Sequence, residues 1–196
     1  MRIRALALAL AAVSAFAANP KVKFTTTLGA FTVELAPEAA PKTVENFLGY
    51  VKSGHYKGTT FHRVISKFMI QGGGMTKDGV EKPTRKPVEN EARASKEKGL
   101  LNVRGSLAMA RTRDPHSATA QFFVNVVDNP FLDSPGQDGW GYCVFGKVVE
   151  GMETVDRIKA VKTLPGDRPE TPVVITDARI EGAPAPAKKA PGRKRK

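Results

Sequence analysis

Residues 61–73, with the sequence FHRVISKFMIQGG, place one arginine among large apolar side chains. Phe68 and Met69 follow Arg63 in this stretch, and the amide side chain of Gln71 comes shortly after them. A cation beside apolar surface costs free energy unless it has partners or a function that requires it. The stretch therefore indicates a functional arginine, and its simplest alternative is an ordinary β-hairpin that exposes one.

Strand-like runs occur on both sides of this stretch. Composition and alternation predict strands at 22–27, 30–35, 60–65, 68–72, 106–111, 121–127, 142–149 and 173–181. One helix is predicted between Pro41 and Gly54, where apolar residues from Val44 onward recur at helical spacing, and a second at 152–159. The polar segment 75–101 is predicted to be a loop. This pattern predicts a mainly β domain with a closed or nearly closed antiparallel sheet, although periodicity alone does not separate a barrel from a sandwich.

Three later groups of residues complete a recognisable order. They are GSLAMAR (105–111), AQFFVNVV (120–127) with FLD (131–133), and YCVFGKVVEGM (142–152). Together with FHRVISKFMIQGG they resemble the cyclophilins, a family of peptidyl-prolyl cis-trans isomerases, over residues 21–182. The resemblance implies a closed eight-stranded antiparallel β-barrel capped by two α-helices. It also implies acceleration of rotation about Xaa-Pro peptide bonds, which requires neither a metal nor a cofactor.

The resemblance implies catalytic roles for Arg63 and Gln71. Arg63 would donate a hydrogen bond to the prolyl nitrogen when the amide twists, and the Gln71 oxygen would hold the guanidinium in place. For Gln71, the alternative is an ordinary surface amide on a strand. Because the side chains of a strand alternate between its two faces, Met69 and Gln71 are expected on the same face.

The substrate-binding residues are also implied by the resemblance. An apolar pocket for the proline ring would consist of Phe68, Met69, Phe123 and Leu132, with Phe131 and Tyr142 at its rim. The backbone of Ala110 and Arg111 and the side chain of Gln121 would bind the main chain of the substrate. Alternation does not decide whether Phe122 or Phe123 faces the pocket, and Phe123 is assigned to it on resemblance alone.

Three positions depart from the pattern common among eukaryotic cyclophilins. Phe131 stands where they commonly carry Trp, Tyr142 where many have His, and Arg111 where many have Asn. The Trp indole helps to bind cyclosporin, so Phe131 predicts weak cyclosporin binding. These substitutions resemble the bacterial branch of the family.

Other kinds of chemistry receive little support from the sequence. His62 next to Arg63 suggests a general base, yet no GxSxG motif or obvious carboxylate partner accompanies it, and a structural, hydrogen-bonded histidine is the simpler interpretation. Cys143 is the only cysteine, so no disulfide within the chain and no Cys/His zinc pattern is expected. Gly72–Gly74 lack the frame of a phosphate-binding loop and favour a bulge or a tight backbone path.

The first seventeen residues have the layout of a secretory signal peptide. Arg2 and Arg4 precede an apolar run that ends in small residues, and cleavage is expected after Ala17 or Ala18. The alternative is a buried or amphipathic N-terminal helix, but the run has no polar stripe. The sequence thus predicts an exported, periplasmic protein.

The C-terminal residues 183–196 alternate Ala, Pro and Gly with six basic residues and contain no acid. Such a composition predicts a disordered tail. With two further basic residues in the signal peptide, the body retains 23 basic against 19 acidic residues, a balance of +4 instead of the +12 of the whole chain. The tail suggests either a solubilising segment or salt-dependent contact with anionic envelope surfaces, and in the second case a tethered binding module is one alternative function. A chaperone that holds proline segments without turnover is another, and a monomer is the default expectation.

Overall fold

Eight strands form one antiparallel sheet that wraps into a nearly closed barrel. We describe residues 19–182 of a computed structural model, so the predicted signal peptide (1–17) and tail (183–196) lie outside the described residues. The strands are β1 Lys21–Thr26, β2 Gly29–Leu35, β3 Thr59–Ile65, β4 Met69–Thr76, β5 Ser106–Met109, β6 Phe122–Asn125, β7 Val144–Glu150, β8 Thr163–Leu164, β9 Arg168–Pro169 and β10 Ile175–Ile180. The helices are α1 Pro41–Lys52, α2 Ala92–Glu97 and α3 Met152–Lys159, and Pro130–Leu132 forms a single 3₁₀ turn.

The order of strands in the sheet is β10-β1-β2-β7-β5-β6-β4-β3. The two ends of this order approach each other: the Phe61 N–H donates to the Val173 carbonyl at 3.0 Å, and the Gly58 N–H donates to the Ile175 carbonyl at 2.8 Å. These hydrogen bonds satisfy edge groups that a flat sheet would leave unpaired. The prediction of an eight-stranded antiparallel barrel with two main helices is confirmed.

The barrel interior is filled largely by aromatic rings. Phe24 contacts four of the other rings, and Phe47 of α1 packs edge-on against Phe145 with ring centroids 4.9 Å apart. The fully buried members of this cluster are Phe24, Phe31, Phe47, Tyr50, Tyr56, Phe61, Phe122 and Phe145. Since each such side chain contributes about 1.5–3 kcal/mol through burial, this cluster is a main source of the stability of the barrel.

Three local features differ from the sequence-based expectation. The segment predicted as loop at 75–101 contains α2, whose six residues are too few to show a helical period. The hairpin of β8 and β9 has strands of two residues each, which composition does not reveal. The predicted strand 68–72 begins at Met69 and continues to Thr76 as β4.

The glycines of β4 bring the backbone close to aromatic rings of the core. Gly73 has a φ of 87°, and a Cβ at this position would lie 2.8 Å from the ring of Phe122. The pairing of β3 with β4 shifts register on either side of Phe61, which is the irregularity that these glycines predicted. The second of these shifts lies between Phe61 and Arg63.

Within residues 19–182, no helix is long and apolar enough to cross a membrane. The same residues contain no cluster of His, Cys, Asp or Glu side chains that is placed to hold a metal ion.

Candidate active site

A cavity of about 120 Å³ opens on the outer surface of the barrel wall. The residues that line it come from β3, β4, β6 and three connecting segments: Arg63, Phe68, Met69, Gln71, Ala110, Arg111, Phe123, Leu132 and Tyr142. Nine of the eleven catalytic and substrate-binding residues predicted from the sequence are therefore brought to one cavity. The other two, Gln121 and Phe131, lie at its edge.

Arg63 and Gln71 are cross-strand neighbours in the pairing of β3 with β4. Their side chains have different partners, however. The Arg63 Nε–H donates to the Asp167 carboxylate at 3.3 Å, and the Gln71 amide donates to the Gln121 side-chain oxygen at 3.0 Å. The Gln71 side-chain oxygen was expected to accept a hydrogen bond from the Arg63 guanidinium. Within residues 19–182, the acceptor is the Asp167 carboxylate instead.

Gln121 extends the site along the barrel surface from the Gln71 side. Its side chain lies over Gly74, where a Cβ would come within 2.5 Å of the Gln121 Cγ. Its amide also reaches towards Glu81 at 3.4 Å. The absence of a Cβ at Gly74 therefore leaves the space that the Gln121 side chain occupies beside Gln71.

The apolar floor of the cavity is a small cluster separate from the barrel core. Its buried members are Met69, Ala108, Phe123, Leu132 and Val144. Phe122 belongs to the barrel core, so the two neighbouring phenylalanines of β6 point to opposite sides of the sheet. The Phe123 ring meets Tyr142 nearly edge-on, with centroids 5.8 Å apart.

Phe131 forms a cover at one edge of the cavity. Its ring stacks on Phe68 with centroids 5.7 Å apart, and the residue is 48% exposed. Leu132 follows it in the 3₁₀ turn and points into the cavity. Phe131 thus lies at the edge of the cavity, and Tyr142, which was also predicted at the rim, forms part of the wall.

The side chain of Arg111 is almost fully buried, with 3% exposure. Its guanidinium lies 4.3 Å from the centroid of the Tyr142 ring and donates to the carbonyl oxygens of Thr112 and Gly141 and to the Asp138 carboxylate. A cation over an aromatic face is attracted by the ring quadrupole. The sequence predicted only a backbone role for Arg111, and the side chain adds a second one: it fixes Tyr142 in the cavity wall.

The contact between Arg111 and the Asp138 carboxylate should weaken in acid. Hydrogen bonds from the Gly141 N–H and then from Arg111 lower the pKa of Asp138 from 3.8 to about 2. A carboxyl group with a depressed pKa contributes stability above its unfolded pKa, and that contribution disappears as the pH falls through the folded one. We expect Asp138→Asn to lower the free energy of unfolding at neutral pH, by less than about 1 kcal/mol because solvent screens a partly exposed pair.

Urea unfolding between pH 2 and pH 7 measures this effect. The difference between wild type and Asp138→Asn should shrink as the pH falls from about 4 to about 2. Asp78→Asn, which changes an exposed loop carboxylate, serves as the matched control. A difference that stays constant across this pH range would contradict the assignment.

A buried network of amides supports the cavity from behind. Asn125 donates to the Asn102 side chain and to Ser106, and Asn129 donates to the Asn125 side chain and to the Phe68 carbonyl. Asn102 in turn donates to the Asp133 carboxylate and to the Tyr142 carbonyl. The network thus fixes the backbone of two wall residues. The sequence reasoning missed these asparagines, although an Asn inside the apolar run AQFFVNVV was a detectable signal.

His62 and Cys143 have no geometry for covalent chemistry. Burial lowers the pKa of His62, which favours the neutral ring, and its Nδ1 has no hydrogen-bond partner among the described residues. A hydrogen-bonded structural role was expected for His62, but its Nδ1 atom makes no hydrogen bond within residues 19–182. Burial raises the pKa of Cys143 to about 12, and its sulfur lies 3.6 Å from the Thr43 hydroxyl. A thiol in this state is not a nucleophile.

A second, larger groove of about 370 Å³ lies beyond His62. It is bounded by Thr60 and Met75 of the barrel, by Pro165 in the turn of the β8–β9 hairpin and by Pro172 after that hairpin. Asp167 at the tip of that hairpin faces Arg63. The hairpin therefore connects the wall of this groove to the arginine of the smaller cavity.

Comparison with known proteins identifies the family of the chain. A family model described as cyclophilin-type peptidyl-prolyl cis-trans isomerase/CLD matches residues 21–180. The chain belongs to the cyclophilin family. It is thus an enzyme of the peptidyl-prolyl cis-trans isomerase class, and its fold is that of a cyclophilin domain.

Relatives from several bacteria share about half of their residues with this cyclophilin. A peptidyl-prolyl cis-trans isomerase of Streptomyces antibioticus is 56% identical over 167 residues, which cover 82% of this chain and 98% of the relative. Peptidyl-prolyl cis-trans isomerase B of Escherichia coli is 50% identical over 165 residues, covering 81% and 98% of the two chains.

Solved structures agree with the fold. The crystal structure of a cyclophilin-type isomerase from Cryptosporidium parvum superposes with a TM-score of 0.70 at 29% identity, covering 85% of this chain and 99% of that one. The cyclophilin AquaCyp293 of Hirschia baltica gives a TM-score of 0.69 at 29% identity, covering 85% and 75%.

Proposed function

We propose that this cyclophilin accelerates cis-trans isomerisation of Xaa-Pro bonds in exported polypeptides and so assists their folding, with Arg63 as the catalytic group. The observation that carries the proposal is the position of Arg63 on the wall of a small cavity with an apolar floor. Its side chain is 43% exposed, and among residues 19–182 only the Nε–H has a hydrogen-bond partner. The terminal N–H groups are therefore available to a bound peptide.

The reaction needs a group that recognises the twisted amide. Resonance holds the peptide bond planar, and the barrier to rotation is about 18–20 kcal/mol. As the bond twists, the prolyl nitrogen regains its lone pair and becomes a hydrogen-bond acceptor. A donor that meets this lone pair stabilises the transition state more than the planar ground state, and only such a differential interaction increases the rate. The guanidinium of Arg63 is a rigid and permanently charged donor suited to this role.

The apolar wall holds the ring while the bond turns. Phe123, Met69 and Leu132 provide a surface against which a proline ring is buried, worth about 1.5–3 kcal/mol. This energy favours weak and rapidly exchanging capture, which suits an enzyme that acts on many chains. The Gln71–Gln121 pair and the backbone near Ala110 would bind the main chain on either side of the proline.

Exchange NMR on a short Xaa-Pro peptide tests the proposal. The folded protein should accelerate cis-trans exchange far beyond the spontaneous rate, which takes tens to hundreds of seconds. The same peptide without protein gives the baseline, and a peptide with Ala in place of Pro should bind more weakly because it lacks the ring that the apolar wall buries. Absence of acceleration by the folded protein would refute the activity of this chain.

Export is a further part of the proposal. The basic start, short apolar run and small residues of the first seventeen positions support secretion to the periplasm with removal of that segment. There, unfolded or newly exported polypeptides with proline would be the substrates. N-terminal sequencing of the protein recovered from periplasm is the direct test, and a chain that still begins at Met1 in the cytoplasm would contradict export.

The basic tail is proposed to make salt-dependent contact with anionic envelope surfaces. Removal of residues 183–196 separates the two functions. The isomerase should keep its turnover on a small peptide, whereas binding to vesicles that contain an anionic lipid should weaken. Equal vesicle binding by both forms would exclude the tail as the contact.

The remaining two parts of the proposal concern cyclosporin binding and the oligomeric state. Phe131 lacks the ring N–H that an indole would offer, so we expect weak cyclosporin binding, which titration can measure. We also propose a monomer, which sedimentation of the mature protein can test.

A further inference from the structure

Asp167 lies at the tip of the β8–β9 hairpin and contacts Arg63 from a position 104 residues later in the chain. The two side chains have nearly equal exposure, 43% for Arg63 and 42% for Asp167. An isolated ion pair at this exposure contributes little to stability. Its position beside the catalytic arginine, rather than its contribution to stability, is the feature that requires an explanation.

The backbone holds this aspartate against β3 independently of its side chain. The Val64 N–H donates to the Asp167 carbonyl at 2.8 Å, directly next to Arg63 in the sequence. The Asp167 N–H in turn donates to the Leu164 carbonyl at 3.1 Å, which closes the turn of the hairpin. The carboxylate therefore stands beside Arg63 because its own peptide unit is attached to the next residue of the same strand.

Asp167 also has an unusual backbone conformation. Its φ is 64°, and it is the only residue other than glycine with positive φ in the described part of the chain. Most side chains avoid this region, whereas Asp and Asn are enriched in it. The turn thus keeps a carboxylate at a position where glycine would be less strained.

The contact engages one edge of the guanidinium and leaves the other free. Nε–H is bound by Asp167, so the terminal N–H groups remain for a ligand in the cavity. A long arginine side chain otherwise loses considerable rotamer freedom when it must meet one geometry. The contact with Asp167 restricts the Arg63 side chain before a peptide binds, so less rotamer entropy is lost when the transition state forms. Preorganised donors assist other enzymes in the same way.

We propose that Asp167 is a positioning residue that orients Arg63 for donation to the prolyl nitrogen. The proposal rests on the proposed role of Arg63. Asp167 itself does not touch the substrate; it acts through the arginine. Its removal should therefore lower the rate of exchange within the bound complex and leave the affinity for the peptide nearly unchanged.

Two substitutions remove the carboxylate and keep the turn. Asp167→Asn preserves shape and tolerates the positive φ, and Asp167→Gly relieves the strain of that φ. Exchange NMR at saturating protein gives the rate in the complex, and peptide titration gives the dissociation constant. We expect a loss of about three- to tenfold in rate for both variants, with less than about twofold change in affinity, because the donor keeps its charge and loses only its orientation.

A double variant distinguishes positioning from other effects. If Asp167 acts only through Arg63, adding Asp167→Asn to Arg63→Ala should cause no further loss. Asp78→Asn is the control for removal of one exposed negative charge. Wild-type rates in both Asp167 variants, together with a strong loss in Arg63→Ala, would overturn the positioning role and leave the proposed function intact. A normal rate in Arg63→Ala would instead overturn the catalytic role proposed for Arg63, on which the positioning role rests.

Discussion

Arg63→Ala should lower catalysed cis-trans exchange by about 10²- to 10³-fold, the usual cost of removing one donor that stabilises a transition state. The fold should remain unchanged, because the side chain is 43% exposed and its ion pair with Asp167 lies at the surface. Exchange NMR measures the rate, and urea unfolding measures stability. Peptide affinity should fall only slightly, since the apolar wall that binds the ring is intact.

Arg104→Ala is the matched control for this substitution. Arg104 is 47% exposed and pairs with Asp156, and neither residue lines the cavity, so the two variants remove the same charge and a similar surface ion pair. It should keep wild-type exchange. Arg63→Lys should recover only part of the rate, because an ammonium keeps the charge without the planar arrangement of donors. Full activity in Arg63→Ala would show that burial of the proline ring alone carries the reaction.

The sequence predicted those parts of the site that depend on local periodicity. Met69 and Gln71 were expected on one face because strand side chains alternate, and both line the cavity. The barrel itself needed the resemblance, since a sandwich would present the same alternation. The boundaries of β4 and the short helix α2 were missed because glycines and polar residues carry little periodic signal.

The contacts that support the site were beyond local reasoning. Asp167 meets Arg63 only because the β8–β9 hairpin folds back onto β3, and nothing near position 167 indicates that partner. The burial of the Arg111 side chain likewise depends on the segment around Asp138 and Tyr142. Contacts between residues distant in sequence require the closed barrel, so they could be described only once its topology was known.

The adjacent residues Phe122 and Phe123 offer a test of which side of β6 stabilises the fold and which side binds substrate. The Phe122 ring is fully buried and has four aromatic neighbours with centroids 5.3–6.0 Å away. Phe122→Ala should therefore lower the free energy of unfolding by about 3–5 kcal/mol, because a closed core retains the resulting cavity.

Phe123→Ala should have the opposite balance of effects. Its ring faces a cavity that already opens to solvent, so water can enter the space and the stability loss should be smaller, about 1–3 kcal/mol. Peptide affinity should fall by about tenfold or more, since this ring supplies much of the apolar wall. Urea unfolding and NMR titration on both variants measure the two quantities. Alternation along β6 places the Phe122 ring in the core and the Phe123 ring in the cavity wall. If both variants lost the same stability and the same peptide affinity, this division between the two sides of the strand would be wrong.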